Sequence, residues 1–263
     1  MSLTSATGST NTTRRRVPYK QIRARQPVTG QEERKTLVVY QAYSSAIAIP
    51  AAREQKLDAS PAFRVGRMTW IKPSFLWCMY RSGWSYKDPN QERILAIEMS
   101  VDGFRELIRS SVSAMDRDRP TGPVPVLLSQ AGTETETEAA AAAAAEMGTG
   151  TEMGTEREKE KEKVEVRFQW DPERNVKLGR LSYRSLQVGI AGGMVRRWMD
   201  EWIVRIEDVT EDVRRFHALI EHEGDQGAAK VIDELKGDKW REDVLELGEE
   251  LEMVLGMPGD VAS

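Results

Sequence analysis

The side chains that could do chemistry here are narrowed first by scarcity. The chain has two histidines, His217 and His222, and one cysteine, Cys78. A zinc site of the Cys/His kind needs more, so no metal is expected. A Ser-His-Asp triad would have to draw on a histidine from a stretch patterned as a polar helix. Catalysis would then fall to carboxylates, a lysine, arginines and hydroxyls. A lysine, two arginines and several hydroxyls gather in "RMTWIKPSFLWCMYRSGW", residues 67–84. Lys72 precedes a proline and Ser74 stands at a helix start. Free N–H groups, a hydroxyl and a cation would converge there as an anion site. Trp70 and Trp84 are placed to stack on a base or sugar, with Arg67 and Arg81 beside them. Lys72 is also a candidate covalent nucleophile for nucleotidyl transfer. The competing reading is structural: these cations pair with Glu92, Glu98 or Asp171, and the stretch is core. Cys78, inside the apolar run Phe75–Tyr80, reads as a buried small hydrophobe.

More polar candidates lie on the segments around this stretch. Gln41 and Tyr43 sit on an early strand. "QWDPER" supplies Gln169, Asp171, Glu173 and Arg174, and "YRSLQ" supplies Arg184, Ser185 and Gln187. Strand ends and the loops after them are common places for ligand contacts. Asp171-Pro172 also reads as an ordinary turn. Gly189-x-x-Gly192-Gly193 before a helix is a loose match to a phosphate cradle.

Periodicity supplies the elements that must hold these groups. Residues 36–44, 68–71, 93–100, 164–170, 185–190 and 203–210 read as strands. Helices are predicted over 46–55, broken near Pro50, from Ser74 to a stop at Gly83, and over 101–112. Met194, Val195, Trp198, Met199 and Trp202 share one helical face. Trp70, Trp77 and Trp84 recur every seven residues, but Pro73 forbids one helix through them. Near the C-terminus, Trp240, Val244, Leu247, Leu251 and Val254 follow helical spacing.

These elements predict one mixed α+β domain made of residues 31–130 and 164–225. Residues 1–30 read as a disordered basic arm with Arg14, Arg15, Arg16, Lys20, Arg23 and Arg25. Residues 131–163 are a low-complexity insert, expected to be disordered. Residues 226–263 read as an acidic helical extension. From Glu207 to Ser263 there are 17 acids and 6 bases, against a net charge of −4 for the whole chain. A basic body therefore precedes an acidic tail. A single cysteine excludes a disulfide framework and suggests a reducing compartment. With no long apolar run, no membrane partner is expected, and the location would be intracellular, cytoplasmic or nuclear.

In order, "VVYQAYSSAIA", "RMTWIKPSFLWCMYRSGW", "QERILAIEMSVDGF", "VRFQWDPER", "YRSLQVGI" and "RRWMDEWIVRIEDVT" resemble the family catalogued as domain of unknown function 4291. The resemblance spans about residues 17–225 with the insert skipped. It implies a compact α+β domain and no particular activity. The chain also resembles ADP-ribosyltransferases loosely, in layout only. On that analogy Gln41, Tyr43, Trp70 and Arg81 would bind NAD, and Glu98, Glu173 or Glu207 would be the carboxylate. Two functions are therefore expected. One is a metal-independent enzyme acting on a nucleotide-like or phosphate-bearing substrate, with NAD or ATP. The other is a nucleic-acid or polyanion-binding module that uses the basic arm.

Overall fold

The structure is a computed structural model that describes residues 19–27, 35–115 and 164–257. In chain order the elements are β1 (Lys20–Gln21), β2 (Arg23–Arg25), β3 (Thr36–Tyr43), α1 (Ser45–Glu54), β4 (Thr69–Ile71) and α2 (Phe75–Ser82). Then come β5 (Arg93–Ser100), α3 (Val101–Arg109), β6 (Ser111–Ser113), β7 (Val166–Arg174), β8 (Arg180–Ile190) and α4 (Gly192–Arg197). A π-helical turn over Trp198–Trp202 leads into β9 (Ile203–Asp208), α5 (Thr210–Glu223), α6 (Asp225–Glu234), β10 (Glu242–Val244) and α7 (Glu249–Val254).

In the antiparallel sheet β3-β5-β9, the strands β3 and β5 are buried on both faces. That is why β3 and β5 read as near-continuous apolar runs. Leu37 and Val39 of β3, with Leu95, Ile97 and Met99 of β5, face one core. Val38, Tyr40, Ile94 and Ala96 face another. The first core is closed by Ile71, Phe168, Trp170, Leu186 and Val188 of a second sheet and by Phe104, Leu107 and Ile108 of α3. The second is closed by Phe75 and Met79 of α2, Val213 and Phe216 of α5, Val231 of α6, and Trp240.

The second sheet runs β1-β8-β7-β6, and β4 also pairs with β8. β4 lies along Val188–Ile190 of β8, while β1 lies along Arg184–Ser185. Past Ile71 the chain leaves this sheet. The Tyr40 N–H donates to the Lys72 carbonyl at 2.7 Å, bridging β3 to the end of β4. Lys72 thus stands where one sheet hands the chain to the other.

The fold is the expected mixed α+β domain, with several local corrections. Pro50 sits inside an unbroken α1, because packing of Ala48 and Ala51 outweighs one missing hydrogen bond. β7 runs on through Asp171-Pro172 to Arg174, with a register shift there, so the pair is not a turn. Lys20–Arg25 is not a disordered arm: Ile22 and Ala24 are fully buried. Arg14–Arg16 and the insert lie outside the described residues. Trp240–Leu247 is not helical. β10 pairs with β2, and Trp240 packs 4.9 Å from Phe75 and 5.3 Å from Phe216, ring to ring. The 3.6 spacing of Trp240 and Val244 was fortuitous, since Val244 is exposed. Trp240→Ala should cost about 3–5 kcal/mol in urea unfolding. A loss below about 1 kcal/mol would mean the extension is not packed into the core.

Candidate functional site

Lys72 is the centre of the site. Pro73 pushes it out of helical geometry. Ser74 then caps α2, its Oγ accepting from the Trp77 N–H at 3.2 Å, and Gly83 ends the helix in the left-handed region. The Lys72 side chain is 2% exposed. Its Nζ donates to Asp171 Oδ2 at 3.2 Å and lies 3.1 Å from the centre of a Trp77 ring. Asp171 Oδ1 accepts from Gln169 Nε2 at 3.1 Å. Burial drives the Lys72 pKa down to about 7, against the pull of Asp171 and Glu173. Burial likewise pushes the Cys78 thiol up to about 12, so this cysteine is packing and not a nucleophile.

A half-exposed sheet face leads to this pair. Gln169 and Asp171 of β7 stand opposite Gln187 and Ser185 of β8. Arg167 and Trp70 flank Gly189 on its two sides. A Cβ on Gly189 would lie 2.9 Å from the Trp70 ring, so glycine is what lets the indole settle on the sheet. Trp70, Arg167, Gln169 and Gln187 are half-buried. Ser185 is 3% exposed, and its Oγ has no hydrogen-bond partner among the described residues.

Two more carboxylates close the inner end. Glu173 is 3% exposed and accepts from the Arg174 N–H at 2.7 Å. Glu242, from β10, accepts from the Phe75 N–H at 2.6 Å, at the start of α2. Burial raises the Glu242 pKa to about 8; the Phe75 bond and Arg23 oppose this, and the Glu173 charge adds to it. The Lys72 amine and Ser74 hydroxyl expected to converge on an anion at the start of α2 are instead engaged with Asp171 and the Trp77 N–H, and Glu242 takes the Phe75 N–H there. Likewise, at Gly192-Gly193 the Glu165 carboxylate accepts from the Gly193 and Met194 N–H groups at 2.8 and 3.1 Å.

The remaining candidates scatter. Arg81 is exposed, 5.9 Å from the Trp77 ring, and Arg67 is exposed too. Arg174 stacks on Tyr80 at 3.6 Å, and Arg184 donates to the Tyr19 hydroxyl and the Trp170 carbonyl. Gln41 donates to Thr69 Oγ1 and the Trp70 carbonyl, while the Tyr43 hydroxyl donates to Gln41. Both support β4 from behind. Burial raises the Tyr43 pKa to about 12. Trp84 is core, packed on Phe75. Glu98 lies in the other sheet and accepts from Thr36 Oγ1 at 2.6 Å. Glu207 pairs with Lys239 and Arg205. Of the three expected carboxylates, only Glu173 adjoins Lys72. The sequence reading missed Glu242, which stands 170 positions from Lys72 with no local signal. Among the described residues no three His, Cys, Asp or Glu side chains group as a metal site would need, and no helix is long and apolar enough to cross a membrane.

A sequence-family profile described as "Domain of unknown function (DUF4291)" matches residues 27–236. A search of curated proteins finds no match. The profile takes in Lys72, Asp171 and Glu173 and stops short of Glu242.

Lys72→Ala should destabilise the fold by about 3–5 kcal/mol, because Asp171 is left unpaired, and Lys72→Met with Asp171→Leu should recover most of that loss. Equal stability of wild type and Lys72→Ala in urea would refute the pairing. The pH profile is a second check. The folded Lys72 amine releases its proton near pH 7, the unfolded one near 10.5. Its contribution to stability therefore rises with pH across that window. Folded Glu242 keeps its proton to about pH 8, the unfolded group only to 4.5, so its contribution falls as pH rises between them. Glu242→Gln should abolish the fall in melting temperature from pH 5 to 8, and Lys72→Met the rise above pH 8. Unchanged profiles would contradict both assignments.

Proposed function

The chain belongs to the family of the Domain of unknown function (DUF4291), and from its own side chains we propose an enzyme acting on a nucleotide-like or phosphate-bearing substrate. One observation carries the reading. A buried Lys72–Asp171 pair lies at the end of a half-exposed face holding Trp70, Arg167, Gln169 and Gln187. A lysine brought near neutrality has a free amine fraction at physiological pH, and that amine is a nucleophile. Asp171 holds the amine in position through its hydrogen bond. Trp70 offers a ring face to a base, while Arg167 supplies a cation for a phosphate. Trp77 covers the amine, so substrate must turn the indole aside.

The lysine-centred version fits better than the ADP-ribosyltransferase-like one. Gln41 and Tyr43 are occupied behind β4, and Glu173 is the sole expected carboxylate at the site. In that second version Glu173 would be the late carboxylate and NAD the substrate. Binding of nucleic acid through the arm has less support. Lys20, Arg23 and Arg25 each donate to a backbone carbonyl of the C-terminal segment, those of Gly256, Glu242 and Lys239.

A thermal-shift series with NAD, ADP-ribose, ATP, GTP and short RNA or DNA, at low and physiological salt, tests this. A mononucleotide at ~100 times its dissociation constant should stabilise the protein by about 2.7 kcal/mol, with little dependence on salt. Lys72→Met should keep the binding shift and lose turnover of that nucleotide. A shift seen only with nucleic acid and lost at higher salt would replace the enzyme with a binding module.

A further inference from the structure

We propose that the start of α2 is an anion subsite of the Lys72 centre, and that Glu242 of the C-terminal extension occupies it in place of a phosphate or carboxylate of the substrate. This rests on reading the Lys72 face as the substrate site, and it adds a second element: an occupant built into the chain.

The first support is the contact itself. The Phe75 N–H is the leading donor of an eight-residue helix, and it donates to Glu242 Oε1 at 2.6 Å. Helix starts attract anions, because their N–H groups lack partners and carry the positive end of the helix dipole. Ser74 already serves the Trp77 N–H, so the Phe75 N–H is open to a group from outside the helix.

The second support is independent. Tyr40 is 1% exposed, and its hydroxyl has no hydrogen-bond partner among the described residues. Its ring packs edge-on against Phe75 at 5.3 Å. The Glu242 charge reaches it strongly enough to raise its pKa, after burial itself. An enclosed hydroxyl within electrostatic reach of the Glu242 carboxyl, yet bonded to no described residue, is a donor open to an anion of different shape. A phosphate has more oxygens to offer than a carboxylate.

The third support is where the groups come from. Lys72, Phe75 and Tyr40 lie inside the matched region 27–236, and Glu242 lies outside it. The subsite belongs to the family domain; the occupant belongs to what this chain adds. The occupant is also poorly matched. Lys72 is engaged with Asp171, and Glu173 stands near enough to disfavour a second negative charge. β10, which carries Glu242, is three residues long and held by β2 alone in a two-stranded sheet. A ligand anion therefore competes with a poorly matched carboxyl on a short strand, and Trp240 stays anchored in the core.

The test uses the full chain and inorganic pyrophosphate, with inorganic phosphate as a second probe, titrated calorimetrically at pH 9, where Glu242 has lost its proton. Glu242→Ala should bind pyrophosphate at least tenfold more tightly than wild type. Adding Tyr40→Phe should remove most of that gain. Glu242→Gln keeps the carbonyl that accepts from Phe75 and decides the matter if the alanine variant fails to fold; it should gain about threefold. Equal affinity in wild type and folded variants would overturn the subsite. So would a gain that persists in Tyr40→Phe, since the anion would then be binding elsewhere. The two readings fail separately. Pyrophosphate binding in Glu242→Ala without any nucleotide shift keeps the subsite and sinks the nucleotide enzyme. Nucleotide binding that is the same with and without Glu242 keeps the enzyme and sinks the built-in occupant.

Discussion

An ammonium group taken out of water loses several kcal/mol of hydration, so the fold must answer for Lys72. Three elements do so. β4 and the Tyr40 bridge hold its backbone, β7 brings Asp171, and α2 lays Trp77 over the amine. A shift of β7 would leave the Lys72 charge without its Asp171 partner. The lysine therefore fixes the place where the two sheets and α2 meet, which is also where the polar face ends. A residue that costs stability and orders three elements around a half-exposed face has the character of a site.

A second theme is the way helix starts are served. Glu92 accepts from the Ser45 N–H at α1, Glu242 from Phe75 at α2, and Glu165 from Gly193 and Met194 at α4. Each carboxylate comes from a distant stretch of the chain, so each helix start doubles as a tertiary contact. The edge of β9 is treated in kindred fashion. The Gln55 amide accepts from the Ile206 N–H and donates to the Ile206 carbonyl, both at 2.9 Å, as a neighbouring strand would. The two ends of the described chain are tied by the same means, through Lys20, Arg23 and Arg25. Composition presents a basic start and an acidic finish, yet these hydrogen bonds interlock the two.

Local patterning was informative where one interaction dominates. β5 and the limits of α2 follow from an apolar run, a serine cap and a glycine stop, and the structure keeps those bounds. Val195, Trp198 and Trp202 are buried as their spacing requires. Lys72, Trp70, Gln169 and Gln187 were legible as candidates because polar and aromatic residues stood in segments that a core alone would not need. Patterning misled where a neighbour outweighed it. Asp171-Pro172 is a turn by composition but a strand by pairing, since β8 supplies a partner along its length. Trp240–Leu247 has helical spacing but runs extended, since β2 offers an edge and Phe75 and Phe216 offer the tryptophan a place.

The sequence by itself determined the fold class, most elements, the inert cysteine and the short set of side chains able to do chemistry. These depend on residue type and on neighbours a few positions away, which patterning records. Only the tertiary structure decided which carboxylate answers Lys72, that Gln41 and Tyr43 support β4 from behind, and that Glu242 closes the start of α2. Those outcomes depend on burial and on contacts across 26 to 167 positions. A charge's environment is set by everything that excludes water from it, and no local pattern carries that information.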